Sequence, residues 1–260
     1  MNNPVNNAVH TNARFLTRFL QVAWPSALLV GGWAVWVRAN GYTDLVAPMP
    51  QSVAADILTH PGAYLGPVLT TTWTALAGLV AGTLLGGVLA VAVWSSRLLT
   101  AVLTPAAVLL RSVPVVAIVP VMIGLFGTGR PAVVAITVVV TFFPAFSLVA
   151  SGLRAPSPST RDVFTVLGAS KPATLARLLI PCAVPNALVA VRIAAPSTIL
   201  SAMLAEFLIG KSGLGFMFVD SVSYSHYARA WGTGVVATAL AVASFVAATR
   251  LERWTLERVT

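Results

Sequence analysis

The amino-acid sequence predicts an all-α polytopic membrane protein with six transmembrane helices. Three observations support this. The chain is 57% hydrophobic and 9% charged, with a mean hydropathy of +0.87, whereas soluble domains carry about 25% charged residues. Apolar runs long enough to cross a bilayer alternate with short polar segments. The basic residues also concentrate on one side of the topology that these runs define.

The distribution of lysine and arginine places both chain ends in the cytoplasm. Cytoplasmic segments of membrane proteins carry an excess of these residues. Ten of the 16 basic residues are predicted inside, four outside, and Arg111 and Arg192 within or near spans. The inside set is Arg14, Arg18, Arg97, Arg154, Arg161, Lys171, Arg177, Arg250, Arg253 and Arg258, and the outside set is Arg38, Arg130, Lys211 and Arg229.

The predicted order divides the chain into a cytoplasmic N-terminal tail (1–18), a transmembrane domain (19–249) and a cytoplasmic C-terminal tail (250–260). The apolar run of the first span is too long for a signal peptide, and we expect it to be retained. No segment outside the spans is long enough to fold as a soluble domain. The six spans are predicted at Phe19–Val37, Pro67–Trp94, about Val113–Phe126, Pro131–Leu153, Asn186–Leu208 and Ala230–Thr249.

Three segments between the spans have features of their own. Gln51–Thr59 is predicted to form a short interfacial helix in the first outer loop. Leu98–Phe126 is too long for one straight span and contains several prolines, so we expect a cytoplasmic-side helix followed by a proline-broken third span. Gly210–Tyr227 is too irregular to cross the membrane and is predicted to lie outside, partly re-entrant.

Glycines recur every four residues along the second span, at Gly78, Gly82 and Gly86, with Gly87 next to the last of them. Small residues at this spacing let two helices approach closely. The stripe could form a seam between two subunits, but packing within one subunit is the favoured interpretation.

A polar segment, residues 154–185, interrupts the apolar sequence between the fourth and fifth spans. Its pattern predicts two short helices joined by a sharp turn. Ser159 is suited to cap the first helix, and Gly168 to end it with a positive φ. Ser170 is suited to cap the second helix, which Pro181 and Pro185 are expected to end. Such a helix pair with an exposed apolar face is typical of a docking site for another protein.

This segment resembles the cytoplasmic coupling loop of permease subunits of bacterial ABC importers. In that family, Glu-Ala-Ala is followed by three residues and a glycine, and nine residues later by Ile-x-Leu-Pro. Here nine residues follow Gly168 before Leu178-Leu179-Ile180-Pro181, while Asp162-Val163-Phe164 replaces Glu-Ala-Ala. Further short segments resemble the nitrate, sulfonate and taurine branch: Leu-Gly-Ala-Ser at 167–170, Arg192-Ile193-Ala194, Ala205-Glu206-Phe207 and Gly213-Leu214-Gly215.

The resemblance implies the type I ABC importer permease fold and a homodimer in the bacterial cytoplasmic membrane. It implies two cytoplasmic ATPase partners that bind ATP and Mg, so that this chain itself holds no cofactor. A periplasmic or external binding protein would deliver a small solute, expected to be an anion of the nitrate, sulfonate or taurine type. The basic residues are dispersed between apolar spans, which argues against a nucleic-acid partner.

The resemblance also assigns two groups of site residues. The ATPase-coupling group is Asp162, Val163, Phe164, Leu167, Gly168, Ala169, Ser170, Leu178, Ile180 and Pro181. The translocation pathway is expected along the third and fifth spans, where prolines and small residues support it. The pathway or gate group is Ser112, Pro114, Pro120, Met122, Ser197, Ser201 and Glu206.

Glu206 is the one acidic residue within a predicted span, which makes it a candidate for a functional role. It could pair with Arg130 or Lys211, or cap the loop that follows. A structural role at the outer gate is favoured over substrate contact, since its charge would repel an anion. The surrounding residues 205–212 match a relaxed phosphate-binding loop, but such a loop needs a preceding strand, and we expect no nucleotide site here.

The sequence shows no Ser–His–Asp set and no paired acids that would indicate an enzyme. The single Cys182 and three scattered histidines do not suggest a metal site. One alternative function is a secondary transporter or channel that works alone, which would require midplane ion sites in paired repeats. Another is a membrane scaffold that transports nothing.

Overall fold

A computed structural model describes residues 24–259 of the 260-residue chain, without the side chains of residues 108, 110–112 and 259. The described part is helical and contains no strand, which confirms the all-α prediction. The helices are α1 (residues 24–39), α2 (Pro50–Thr59), α3 (Pro61–Ser95), α4 (Arg97–Ser112), α5 (Val115–Phe126), α6 (Arg130–Gly152), α7 (Pro158–Val166), α8 (Lys171–Thr174), α9 (Ile180–Ile209), α10 (Leu214–Ser223) and α11 (Tyr227–Val259).

Four described helical segments are long and apolar enough to cross a membrane: Pro61–Ser95, Arg130–Gly152, Lys171–Ile209 and Tyr227–Arg258. They correspond to the predicted second, fourth, fifth and sixth spans, the fourth ending one residue earlier than predicted. The N-terminal tail and the start of the first predicted span, residues 1–23, lie outside the described residues, while residues 24–39 are helical. The predicted short helix of the first outer loop is confirmed as α2.

The expected break between a cytoplasmic-side helix and the third span is present at Pro114, but the expectation that prolines break the third span itself is wrong, because Pro120 lies inside the continuous helix α5. Pro114 has an extended backbone (φ −59°, ψ 135°) and separates α4 from α5. The 12 residues of α5 extend for about 18 Å at 1.5 Å per residue. That is shorter than the roughly 30 Å hydrocarbon core of a bilayer. The third membrane segment is therefore a short helix rather than a full-length span.

The glycine stripe of α3 packs against α6 inside the subunit, which confirms the favoured interpretation. A methyl group on Gly82 would lie 2.6 Å from Thr141 Cβ, and one on Gly86 would lie 2.7 Å from the Phe142 carbonyl oxygen. A methyl group on Gly78 would overlap the Thr137 hydroxyl. The glycines are therefore the residues that let α3 and α6 touch through their backbones.

At one end of the bundle, α3, α6 and α9 enclose an apolar cluster that includes Phe146, Leu153, Leu179 and Ala183. We call this end cytoplasmic, following the predicted charge distribution. The segment between α6 and α9 leaves from it. The loop is therefore joined directly to a buried apolar cluster of the bundle.

At the opposite end, called outer, a polar cluster ties α2 to the beginnings of α3 and α11. Asp56 receives hydrogen bonds from Tyr64 Oη at 2.7 Å and from Arg229 Nη2 and Nε at 3.1 and 3.3 Å. Burial tends to raise the pKa of Asp56, but the hydrogen bonds from Arg229 and Tyr64 outweigh it and hold that pKa below its usual value.

Stacking of Trp33 on Trp231, with ring centroids 5.2 Å apart, joins α1 to α11.

The expectation that Pro181 and Pro185 end a helix is wrong. Helical structure continues from Lys171 to Ile209 through a π-helical turn at Leu175–Leu179, where Ile180 N–H donates to the carbonyl of Leu175. Pro181 lies two residues after the end of this turn. The wider π turn offers room for a proline ring that would otherwise crowd the carbonyl four residues earlier. The two prolines therefore follow a change from π-helical to α-helical structure instead of ending the helix. The second loop helix is continuous with the fifth span.

Candidate functional site

The loop between α6 and α9 contains two helices with well-formed ends. Ser157 caps α7 by accepting a hydrogen bond from Thr160 N–H at 3.2 Å. The predicted cap, Ser159, is wrong because Ser157 precedes Pro158, and proline favours the first helical position after a cap. The predicted cap of α8 is confirmed, since Ser170 Oγ accepts from Ala173 N–H at 3.4 Å.

Gly168 has the predicted positive φ, at +70°. Its N–H donates to the Thr165 carbonyl at 3.0 Å, and Ala169 N–H donates to the Phe164 carbonyl at 2.9 Å. These two bonds form a Schellman motif, in which a left-handed residue satisfies the last carbonyls of a helix. A Cβ at Gly168 would meet nothing within 4 Å, so backbone conformation rather than space favours glycine here.

The apolar side chains of the loop form two groups with different surroundings. Val163, Val166 and Leu167 are 55%, 86% and 76% exposed, and no part of the described subunit covers them. Phe164 and Leu178, in contrast, pack into the cytoplasmic-end cluster. The first group forms an exposed apolar surface and the second anchors it to the bundle. Arg161 strengthens the anchor by donating from Nη2 to the Leu153 carbonyl at 3.3 Å.

The other predicted coupling residues lie around the same two helices. Asp162, Ser170, Ile180 and Pro181 are exposed, and Ala169 is half-buried. Ile180 is 44% exposed and borders an apolar groove with Ala183 and Leu153. The loop thus presents an apolar patch on α7 beside polar and charged side chains, a composition typical of protein interfaces.

The predicted pathway residues do not form one compact site. Pro114, which precedes α5, and Pro120, within it, are exposed. Met122 borders an open apolar groove between α5 and α6. The side chain of Ser112 lies outside the described residues. Ser197 lies on an exposed stripe of α9 with Ile193, Leu200 and Leu204. Ser201 is half-buried one turn further along the same helix.

Nine residues separate Ser197 from Glu206, which is about 900° of rotation, or two and a half turns of the helix. Glu206 therefore lies on nearly the opposite side of α9 from Ser197. Its side chain is 2% exposed. Glu206 Oε2 accepts hydrogen bonds from the Thr71 hydroxyl at 2.7 Å and from Gly215 N–H at 3.2 Å. The Thr71 hydroxyl oxygen also accepts from Leu214 N–H at 2.9 Å. Glu206 therefore fastens the beginning of α10 to α3 and α9.

The segment that follows α9 needs glycines at Gly213 and Gly215, because its backbone passes close to Glu206 and to α9. Gly213 has φ +99°, and a Cβ there would overlap the Glu206 carboxyl group. A Cβ at Gly215 would lie 2.5 Å from the Phe207 nitrogen. The described ion pairs include neither Arg130 nor Lys211 as a partner of Glu206. Of the roles predicted for Glu206, the structure favours capping of the outer loop.

The relaxed phosphate-loop match at residues 205–212 coincides with the end of a long helix. Helical structure continues to Ile209, and Gly210 N–H still donates to the Glu206 carbonyl at 2.9 Å. A strand would be required at this position for a phosphate-binding loop. Lys211 lies on the outer end, where it borders a polar depression with Asp220 and Arg229.

Residues 78–259 match the family described as "Binding-protein-dependent transport system inner membrane component". The match covers more than half of the chain, from the glycine stripe to the end of α11. The chain therefore belongs to this family and is an ABC importer permease, a transport subunit rather than an enzyme.

Relatives and solved structures agree with the family. The formylaminopyrimidine transport permease ThiX of Halalkalibacterium halodurans is 29% identical over 71% of this chain and 74% of its own. The taurine transport permease TauC of Escherichia coli is 26% identical over 92% of each chain. A solved amino acid ABC transporter, crystallised with histidines, has a TM-score of 0.65 at 15% identity over 78% of this chain and 97% of its own. The structural likeness supports the type I importer fold.

Proposed function

We propose that this chain, as a homodimer, forms the translocation pathway of an importer for a small anionic solute of the sulfonate, taurine or nitrate type. Two cytoplasmic ATPase subunits that bind ATP and Mg dock on the 154–185 loops. A periplasmic binding protein delivers the solute to the outer end in a bacterial cytoplasmic membrane. This chain contributes the pathway and the coupling surface and holds no nucleotide.

The observation that supports ATPase docking most directly is the exposed apolar surface of α7, which lies beside Ser170, the cap of α8. Val166 and Leu167 are 86% and 76% exposed, although they lie on a helix whose other side is anchored in the bundle through Phe164. Exposed apolar groups on an anchored element of this kind mark interaction sites. Closure of the ATPase subunits would move both loop helices together, as a lever rigidly joined to α9.

Docking can be tested by placing a charge in the exposed patch. Leu167→Asp should leave the subunit folded, because Leu167 is 76% exposed and surface substitutions usually change stability by less than about 0.5 kcal/mol. It should abolish copurification with the ATPase subunits, because a carboxylate would be buried without a partner in the interface. Leu45→Asp is the matched control, since Leu45 is 69% exposed in the first outer loop. Equal ATPase yields for both variants would contradict docking at α7.

Two observations support a solute that carries a sulfonate or a similar anionic group. The taurine permease of E. coli is similar to this chain over 92% of its length. The buried carboxylate of Glu206 is turned into α10 and α3, so its charge does not lie on the exposed stripe of α9 where Ser197 is placed. Relatives also transport formylaminopyrimidine, a different class of solute.

The solute can be identified by uptake in proteoliposomes that contain the complete importer with its binding protein. Radiolabelled taurine and an alkyl sulfonate should accumulate in an ATP-dependent manner, and formylaminopyrimidine should not. Accumulation of formylaminopyrimidine in place of both sulfonates would contradict the proposed substrate while leaving the permease role intact. Uptake that continues without ATPase subunits would instead favour a transporter that works alone.

A further inference from the structure

The last turns of α11 carry a basic and aromatic face that the transport function does not explain. This face consists of Arg250, Arg253, Trp254 and Arg258, and we call it the basic face. All four residues are exposed, with Trp254 at 53%. The guanidinium of Arg258 lies 3.9 Å from the centre of the Trp254 ring system, in a cation–π contact.

An ion pair fixes the rotation of these turns about the helix axis. Glu252, on the inner side of α11, is 8% exposed, and its Oε2 lies 2.9 Å from Arg192 Nη1 on α9. Residues at positions 250, 253 and 254 lie about 100° or more from Glu252 around the helix. The pair therefore turns the basic face away from the bundle and neutralises the charge of Glu252.

The basic face continues the most exposed apolar surface among the four candidate spans of residues 24–259. Only 17% of the 18-residue apolar stretch of α11 is buried inside the subunit, against 50% of the corresponding stretch of α6. Val235, Val242 and Val246 are 45%, 58% and 40% exposed, and their spacing of seven and four residues keeps them on one side of the helix. Arg250 follows four residues after Val246, so the apolar stripe passes directly into the basic face.

The length of α11 places this change of composition at the edge of the bilayer. The helix has 33 residues, or about 50 Å at 1.5 Å per residue. The part that precedes Arg250 is about 35 Å long, slightly more than the roughly 30 Å hydrocarbon core. Arg250, Arg253 and Trp254 therefore lie at the depth of the headgroups, and Arg258 just beyond.

We propose that the basic face binds the phosphate headgroups of anionic phospholipids in the cytoplasmic leaflet. Three arginines and one exposed acid, Glu257, leave this surface positive, and arginine pairs readily with phosphate oxygens. Trp254 has the apolar ring and polar N–H of residues that favour the interface. The valine stripe above it packs against the acyl chains of the same lipids.

The test uses the full chain reconstituted in phosphatidylcholine vesicles with spin-labelled phosphatidylglycerol or phosphatidylcholine. The wild-type chain should bind phosphatidylglycerol preferentially, as measured by the motionally restricted component of the spectrum. Arg250→Gln, Arg253→Gln and Arg258→Gln combined should lower that preference by at least about fivefold, the change expected from the loss of even one of the three arginine contacts near the membrane surface. The corresponding triple lysine variant should retain it.

A charge-matched control removes three basic residues from the loop: Arg154→Gln, Lys171→Gln and Arg177→Gln. It should keep the preference for phosphatidylglycerol. Equal losses in both triple variants would overturn the proposal, because the effect would then come from net cytoplasmic charge. If the α11 variant keeps its lipid preference but loses ATPase copurification, the face belongs to a protein partner and the proposal is wrong. Far-ultraviolet circular dichroism establishes that each variant is folded.

Discussion

At the scale of single residues, the structure separates side chains that shape the protein from side chains that are exposed for a partner. Gly168 and Gly213 are both glycines with positive φ, but for different reasons. Gly168 satisfies the end of α7 in open space, whereas Gly213 also lets the backbone pass the Glu206 carboxyl group. Glu206 belongs to the first group, because it is buried and accepts hydrogen bonds from Thr71 and Gly215.

This assignment predicts that Glu206 contributes to stability. Glu206→Ala would leave the Thr71 hydroxyl and Gly215 N–H without their acceptor in a buried site, at about 1–3 kcal/mol for each unsatisfied group. The thermal unfolding midpoint in detergent should fall accordingly. Glu257→Ala, at an exposed position of α11, is the control and should not change it. An unchanged midpoint for Glu206→Ala would show that the carboxylate is not needed to hold α10.

At the scale of elements, α6 is the most buried of the four long helical segments of the described chain. Half of the 18-residue apolar stretch of α6 is buried inside the subunit. The helix contacts α3 at the glycines of α3. It contacts α9 through the hydroxyl groups of Thr141 and Thr198, whose oxygens lie 2.9 Å apart. The loop then leaves its cytoplasmic end and continues into α9 without a helix break. A movement of the loop would therefore be transmitted along α9 to Glu206 and α10 at the outer end.

The glycine contact of α3 and α6 predicts opposite effects for two similar substitutions in one helix. Gly78→Ala should destabilise the subunit by about 1–3 kcal/mol through overpacking, because the new methyl group would overlap Thr137. Gly87→Ala should be neutral or stabilising, since a Cβ there meets nothing within 4 Å and alanine favours a helix more than glycine does. Thermal unfolding measures both. Equal destabilisation would contradict the close approach of the two helices.

At the scale of the whole molecule, the polar cluster of Asp56 and the 154–185 loop lie at opposite ends of the bundle. The charge distribution assigns the first to the outside and the second to the cytoplasm. In a Cys182→Ser background, single cysteines at Gly62 and Ser157 should react with membrane-impermeant maleimide from opposite sides. Cysteines at Leu45 and Ala155 are the controls for each side. Labelling of the Gly62 and Ser157 variants from the same side would contradict this topology.

The sequence alone was sufficient for the properties that depend on local chemistry. Hydropathy and length predict the four long spans, proline predicts the break between α4 and α5, and glycine with serine predicts the turn at Gly168 and the cap of α8. The family resemblance rests on the same local spacing and is confirmed by the match over residues 78–259. These features could be predicted because each is decided by interactions among residues that are close in the chain.

The tertiary structure decided which distant residues meet. Thr71 and Glu206, 135 residues apart, hold the outer loop together, and Arg192 pairs with Glu252 across two helices. Neither partner can be inferred from spacing, because helix rotation and packing set the pairing. Local rules also failed where packing opposed them: Pro181 and Pro185 are helix-breaking residues, yet a π turn and neighbouring helices allow the helix to continue. In an apolar bundle, any helix face can meet another, and only the packed arrangement shows which polar groups satisfy one another.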